Sequence, residues 1–578
     1  MTRLATLQNR PARRRYKLRW QTGAALVLLG CAALGACARP AAPPTPPTVG
    51  APVGPSPAAR QPFAAAHGMV ASAHPLASEA GLGMLRAGGN AIDAAVATAF
   101  AVGVAEPNAS GLGGEGMMVV YLARSGKAVA IDYRSTAPAR AVREGLPETG
   151  YAAVAVPGTV AGLTLALEKY GTKDVAEVLA PSVRIAEEGF LISPTLAGVI
   201  ADNFEAILED PALAALVCPE GLPMEAGARL RNPGLATTLR RLSEQGADLF
   251  YRGDIAERIA KEMAARGGSM TLDDLAGYRV LEREPVRGRY RGREIISAPP
   301  PVGGLALLET LQILDQFEMG GHNAESVERL HLTAEALKRG FADYSAYVAD
   351  PAFVQAPIGF LLSPDYAKTR ASEVRVDTIT PRVKAGRPET PSESPSTTTL
   401  AVVDRDGNMV TLTQTISDFF GAKVLVPGTG VILNNEMRNF ASRGINALAP
   451  GKRMRTLIAP TLILDNGRPL AALGTPGGAR IISTTALIVS NLLDYGMDVQ
   501  QAIDAPRFFT RDTEELLHLE ARVPAATQDA LRALGYRLQV YGDFDLFFGG
   551  AQGIVRDPRT GRLQGGADPR RDGAVVGY

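Results

Sequence analysis

One stretch constrains the fold of this chain more than any other: PSESPSTTTLAVVDRDGNMVTLTQT, Pro391 to Thr415. Two runs of β-branched and apolar residues flank Asp-Arg-Asp-Gly-Asn, the signature of a β-hairpin closed by a tight turn. A polar Pro/Ser tether leads straight into three threonines, Thr397 to Thr399, at the start of the first strand. Threonine is β-branched and polar and suits a strand start on that ground alone. The layout also suits a threonine that becomes a chain terminus. The α-amine of an N-terminal Thr titrates near about pH 8 and can take the proton of its own hydroxyl. Such a residue needs the chain cut just before it, which a strained loop entering a strand can do to itself when the hydroxyl attacks the preceding carbonyl.

Other catalytic patterns are missing from the sequence. It has no G-x-S-x-G, no H-E-x-x-H and no P-loop. GLGGEG, Gly111 to Gly116, matches G-x-G-x-x-G, but a Pro-Asn loop precedes it and a β-branched strand follows. A dinucleotide site needs a strand before and a helix N-terminus after, so the stretch reads as a glycine loop lining a cleft. The five histidines, at 67, 74, 322, 331 and 518, have no ligand spacing, and neither a metal nor a cofactor is expected. The 60 basic and 59 acidic residues nearly cancel, which excludes a basic face for nucleic acid. The 578 residues, 46% of them apolar and 21% charged, can bury a substantial core.

The N-terminus reads as an export signal. Five basic residues between Arg13 and Arg19 precede the apolar run Ala24 to Leu34, which is short for a membrane span. The run ends Leu34-Gly35-Ala36-Cys37, resembling a lipobox with Cys37 as the lipidated first residue; a rival ends at Cys31. Ala38 rather than Asp after Cys37 implies an outer-membrane lipoprotein facing the periplasm, with soluble periplasmic export as the alternative. Loss of residues 1–36 would remove seven basic residues and no acidic one, taking the net charge from +1 to −6. Cys218 would then be left without a disulfide partner. Residues 37–62 form a Pro/Ala-rich tether. Beyond it, two apolar helices break at Gly88-Gly89, strands MMVVYLA and AVAIDYR pair across a Ser-Gly turn, and helices fill Val175–Gly189 and Val327–Val348. Further helices are expected near Ile482–Leu493 and Ala525–Leu534. Strands flanked by helices in both halves indicate a mixed, layered α/β domain.

From His67 to Tyr578 the chain resembles the γ-glutamyltransferase (glutathione hydrolase) family of N-terminal-nucleophile enzymes. The resemblance rests on GMVASAHPLASEAGLGMLRAGGNAIDAAVA, AIDYRSTAPARA, VPGTVAGL, STTTLAVVDRDGNMVTLTQT, GVILNNEMRNF, GTPGGARI and GGADPRRDGAVVGY, in that order. It implies an αββα sandwich and cleavage into a large subunit, 63–396, and a small catalytic subunit, 397–578. It also implies a cut between Ser396 and Thr397, because the family nucleophile lies seven residues before the Asp that opens the D-x-D-G-N turn, here Asp404. Thr415 takes the place of the threonine that steadies the nucleophile's amine, and Gly477 and Gly478 match the oxyanion pair. Arg134 matches the grip on the substrate α-carboxylate. Glu436 matches one of two positions holding the α-ammonium; the other, normally Asp, is Asn439. Ser417 stands for a family Asn, and a serine pair that binds the carboxylate reads Thr456-Leu457. The segment Phe440–Gly451 is shorter than the lid of many members. Thr399 replaces a frequent His.

The expected activity is hydrolysis of γ-glutamyl amides such as glutathione, with transfer of the acyl group to water or an amino acid. A glutaryl or cephalosporin-type acylase of the same fold is the nearest rival, favoured by Asn439 and Leu457. A non-catalytic binding lipoprotein is a more distant one.

Overall fold

A computed structural model describes residues 60–384, 397–511 and 515–578. The expected signal, its Cys37, most of the tether and Ser396 lie outside the described residues. The expected hairpin is present. Thr398–Val403 pairs antiparallel with Met409–Thr415, opposing Thr398 to Gln414 and Val403 to Met409. Its turn is built by Asp404, whose Oδ1 accepts from the backbone N–H groups of Asp406 and Asn408 at 3.0 and 2.9 Å. Gly407 adopts φ +85°, a conformation that favours glycine there. The other oxygen of Asp404 accepts from the N–H of Ala91 at 2.9 Å, fastening the turn to the start of a helix.

This hairpin is the middle of a seven-stranded antiparallel sheet, in the order Ala574–Gly577, Met69–Ser72, Thr398–Val403, Met409–Thr415, Glu115–Leu122, Lys127–Tyr133, Leu281–Arg283. A second seven-stranded antiparallel sheet runs Phe63–Ala65, Leu563–Ala567, Gln552–Arg556, Arg468–Gly474, Thr461–Asp465, Arg293–Ser297, Val286–Tyr290. The central strands of the first sheet send alternate side chains to two cores, as the pleat dictates. Ala401, Val403, Met117, Val119 and Tyr121 enter the core between the sheets. Leu400, Val402, Val410, Met118 and Val120 enter a core shared with helices on the outer face. Those helices include Pro75–Arg86, Ala91–Ala105, Thr159–Tyr170 and Val175–Glu188. Helices Gly304–Leu314, Val327–Tyr347 and Arg480–Leu493 cover the second sheet. Helix, sheet, sheet, helix is the αββα sandwich that the sequence leads one to expect. Covered on both faces, Thr398–Val403 is buried at every residue; its last four residues are apolar, and its two threonines have hydrogen-bonded hydroxyls.

Local signals place the helices. Pro75 occupies the first turn of its helix. Gly88, at φ +82°, ends it, and the N–H of Gly89 closes back on the carbonyl of Met84 at 2.9 Å. Asn90 and Asp93 then form a capping box for Ala91–Ala105, every residue of which is buried. The chain ends by pairing Ala574–Gly577 with Met69–Ser72, and the Tyr578 carbonyl accepts from the N–H groups of Ala66 and His67 at 3.1 and 2.8 Å.

Thr399 acquires a role between the sheets. Its hydroxyl donates to the Leu412 carbonyl at 2.9 Å. It also faces Gly474 of the second sheet, where an added Cβ would lie 2.1 Å from Thr399 Oγ1. The two sheets touch here through a hydroxyl on one side and a bare glycine on the other. Gly474→Ala is therefore expected to destabilise the protein by about 1–3 kcal/mol through overpacking, read as a lower denaturant midpoint. Adding Thr399→Ala should recover part of the loss; no recovery in the double variant would refute this contact.

Candidate active site

The first strand of the hairpin places its three threonines differently. Thr398 and Thr399 are within the ladder and their hydroxyls are committed, Thr398 Oγ1 donating to Glu106 Oε2 at 2.7 Å and Thr399 to Leu412. Thr397 precedes the ladder and lines a cleft together with Thr415, Ser417, Glu436, Asn439, Thr456, Leu457, Ile458, Gly478 and Ile481. The hairpin register brings Thr415 back beside the strand start, and Thr397 Oγ1 lies 3.4 Å from Thr415 Oγ1. Thr415 Oγ1 also accepts from the N–H of Ser417 at 2.8 Å. Ser417 is held at φ +80°, a costly conformation for a residue with a side chain and one that recurs at functional sites. Arg571 donates to the Thr397 carbonyl at 2.9 Å, fixing that peptide from the C-terminal end of the chain.

A short helical turn, Glu436–Asn439, presents two of the cleft's polar side chains. The Asn439 amide donates to Glu436 Oε2 at 2.8 Å and to Ser417 Oγ at 3.1 Å. A carboxylate can only accept, so Glu436 orients the amide NH₂ toward itself and turns Asn439 Oδ1 away. Glu436 Oε1 and Asn439 Oδ1 are both buried without a hydrogen-bond partner among the described residues. The Thr456 hydroxyl is also buried without a partner among the described residues. Burial pushes the Glu436 carboxyl up from its ordinary range, while the Arg134 guanidinium and the Asn439 amide pull it back.

Arg134 directly follows the strand Lys127–Tyr133 and is wholly buried, not among the residues lining the cleft. Burial lowers its pKa and the nearby Glu436 carboxylate opposes the shift. Its Nε and Nη2 have no hydrogen-bond partner among the described residues. Of the glycine pair, only Gly478 lines the cleft. Gly477 and Gly478 adopt φ +128° and +57°, and their carbonyls accept from Arg480 and Ile481 as the helix Arg480–Leu493 begins. The pair thus sits just ahead of a helix N-terminus, whose positive dipole end suits an oxyanion. The short segment after Phe440 is pinned, with Asn446 donating to the Asn439 carbonyl at 2.9 Å and Lys452 to the carbonyls of Ile445 and Ala447.

Three residues that sequence reasoning passed over belong here. Glu106 and Arg571 hold Thr398 and Thr397 from opposite ends of the chain. Burial raises Glu106 to about 7, against the pull of Arg571 and the Thr398 hydrogen bond. Glu115 forms a buried ion pair with Arg134. A lone acid within a glycine-rich run, followed by an apolar strand, was the available signal for Glu115. The expectation of a plain glycine loop is corrected there, because the strand Glu115–Leu122 already begins inside the motif.

A Gamma-glutamyltranspeptidase family model matches residues 77–578. A glutathione hydrolase proenzyme of Pseudomonas sp. (strain A14) is 38% identical over 90% of this chain and 96% of its own length. An Acylase ACY 1 proenzyme of Pseudomonas sp. (strain SE83) is 40% identical over 89% and 94%. Among solved structures, the cephalosporin acylase from Bacillus halodurans superposes with a TM-score of 0.84 at 35% identity, covering 91% of this chain and 99% of that one. With its threonine hairpin, its paired sheets and a match across nearly all of its folded length, this chain belongs to the gamma-glutamyltranspeptidase family.

Proposed function

We propose that this enzyme is a self-processing threonine hydrolase that cleaves γ-glutamyl amides, glutathione and related compounds among them. The observation that carries this reading is a pair of acceptors without partners among the described residues, Glu436 Oε1 and Asn439 Oδ1, in the cleft that holds Thr397. Buried acceptors without partners destabilise a fold unless a ligand supplies donors. An α-ammonium supplies them, and the unused guanidinium donors of Arg134 suit the neighbouring α-carboxylate.

In the proposed maturation, Thr397 Oγ attacks the Ser396 carbonyl and the peptide C–N bond breaks, leaving an ester and a free Thr397 amine. Water hydrolyses the ester and separates residues 63–396 from 397–578. In turnover the amine takes the Thr397 hydroxyl proton, with Thr415 steadying the pair, as Oγ attacks the γ-carbonyl. The N–H groups of Gly477 and Gly478 receive the oxyanion, the leaving amine takes the proton, and a γ-glutamyl ester remains. Water or an amino acid then accepts the acyl group. Glutaryl transfer is a second reading, supported by the neutral Asn439, by Leu457 in the cleft and by the acylase names among the relatives. We also place the enzyme at the periplasmic face of the outer membrane through a lipid on Cys37, on the strength of the LGAC sequence.

Four outcomes test these proposals. The wild type should resolve into two polypeptides without added protease, the smaller beginning at Thr397, while Thr397→Ala stays uncut and inactive. N-terminal sequencing that reads Thr398 or Thr399 would move the nucleophile. Cys37→Ser should leave the membrane fraction or fail to be processed, since anchoring depends on the acyl chains; a wild type found only in the soluble fraction would remove the anchor. Wild type should turn over γ-glutamyl p-nitroanilide faster than the glutaryl compound, and the reverse preference would favour the acylase. Asn439→Asp should lower KM for the γ-glutamyl relative to the glutaryl donor by about 5–30-fold, the worth of one charge-assisted hydrogen bond. The gain needs an ammonium, because two carboxylates in contact otherwise share a proton.

A further inference from the structure

Behind the cleft, paired with Arg134, lies a carboxylate that the ligand set above does not use. Glu115 stands directly opposite Thr415 in the sheet and is completely buried. Its Oε2 accepts from the Ser135 N–H at 2.7 Å and from the Ser135 hydroxyl, while Oε1 contacts Nη1 of Arg134. With two donors fixing one oxygen, the carboxylate is held in place against the guanidinium. The next cations, Arg453 and Arg283, are balanced by two carboxylates: Asp132, 3.4 Å from Arg453 and 2.7 Å from Arg283, and Asp350, 3.9 Å from Arg283. Glu436 faces Arg134 from the cleft side. One guanidinium and two carboxylates therefore set the charge of the pocket.

We propose that Glu115 is a specificity-determining residue that pre-occupies Arg134, so that the pocket selects acyl tails carrying an ammonium over tails ending in a carboxylate alone. This inference rests on the γ-glutamyl reading and names the charge class that the site prefers. A glutaryl tail adds a negative charge to a pocket whose cation is already paired. A γ-glutamyl tail adds a zwitterion with no net charge. A 4-aminobutyryl tail, which keeps the amine and lacks the carboxylate, adds a positive charge and brings the set to neutrality. At the short separations and low effective dielectric of a buried site, one charge is worth orders of magnitude in affinity. Glu115 thus supplies the negative charge that Asn439 forfeits, from the strand beside Thr415.

The test is steady-state hydrolysis of the glutaryl, γ-glutamyl and 4-aminobutyryl p-nitroanilides by wild type, Glu115→Gln and Glu115→Asp. Removing the charge should shift kcat/KM in proportion to the charge of the tail. In Glu115→Gln the glutaryl compound should gain about tenfold or more over γ-glutamyl, and the 4-aminobutyryl compound should lose a similar factor. Glu115→Asp, which keeps the charge, should retain the wild-type order. Equal changes for all three donors in Glu115→Gln would overturn the proposal and leave the γ-glutamyl reading intact. A wild type that cleaves none of them, or the glutaryl compound fastest, would overturn both. If Glu115→Gln fails to mature, competition on the wild type decides: L-glutamate and 4-aminobutyrate should inhibit more strongly than glutarate, and the opposite order refutes the inference.

Discussion

The ladder that holds Thr398–Val403 between Met69–Ser72 and Met409–Thr415 is the constraint on which the site depends. A chain terminus ordinarily frays, because nothing on one side holds it. Here the residue after Thr397 is already bonded into the centre of a sheet whose faces are both covered. Glu106 grips the side chain of that residue and Arg571 grips the carbonyl of Thr397 itself. In the proposed role of Thr397 as a nucleophile that is also its own base, its atoms must be held closely against their target. A rigid element such as this ladder would give that precision to a newly made chain end.

The same rigidity allows the site to retain polar atoms that the fold would otherwise satisfy. Glu436, Asn439, Thr456 and Arg134 all have buried polar atoms without partners among the described residues. Each such atom works against folding. They persist because the two cores on either side of the sheet bury apolar area on a scale that absorbs the cost. Catalysis and recognition are in this sense supported by Leu400, Val402, Ala401 and Val403, none of which touches a substrate.

Much of this was legible in the sequence, and the residues show why. The hairpin followed from strand alternation around Asp404–Asn408, and the helix break from Gly88-Gly89, because both are local signals. The gathering of Thr397, Thr415, Ser417, Glu436, Asn439, Thr456 and Gly478 around one cleft followed from the order of family landmarks. Thr399 could not be explained until its partner was known, since Gly474 lies in the other sheet. Glu115 was hidden by its own surroundings. A glycine-rich run suggests backbone flexibility, whereas the meaning of this acid comes from Arg134 on the adjacent strand and from the Ser135 that follows it. Charge compensation across strands has no local spacing to betray it.

The way the chain closes its sheets also sets a schedule. Phe63–Ala65 forms one edge of the second sheet and Ala574–Gly577 one edge of the first. The backbone beside the earliest of these strands, Ala66 and His67, is bonded to the carbonyl of the last residue, Tyr578. Contacts this far apart in sequence carry a large loop-closure cost and slow folding. The sheet that carries the threonine hairpin is complete only once Ala574–Gly577 has docked beside Met69–Ser72. Until then the backbone edge of Met69–Ser72, the strand next to the hairpin, stands open to pairing with another chain.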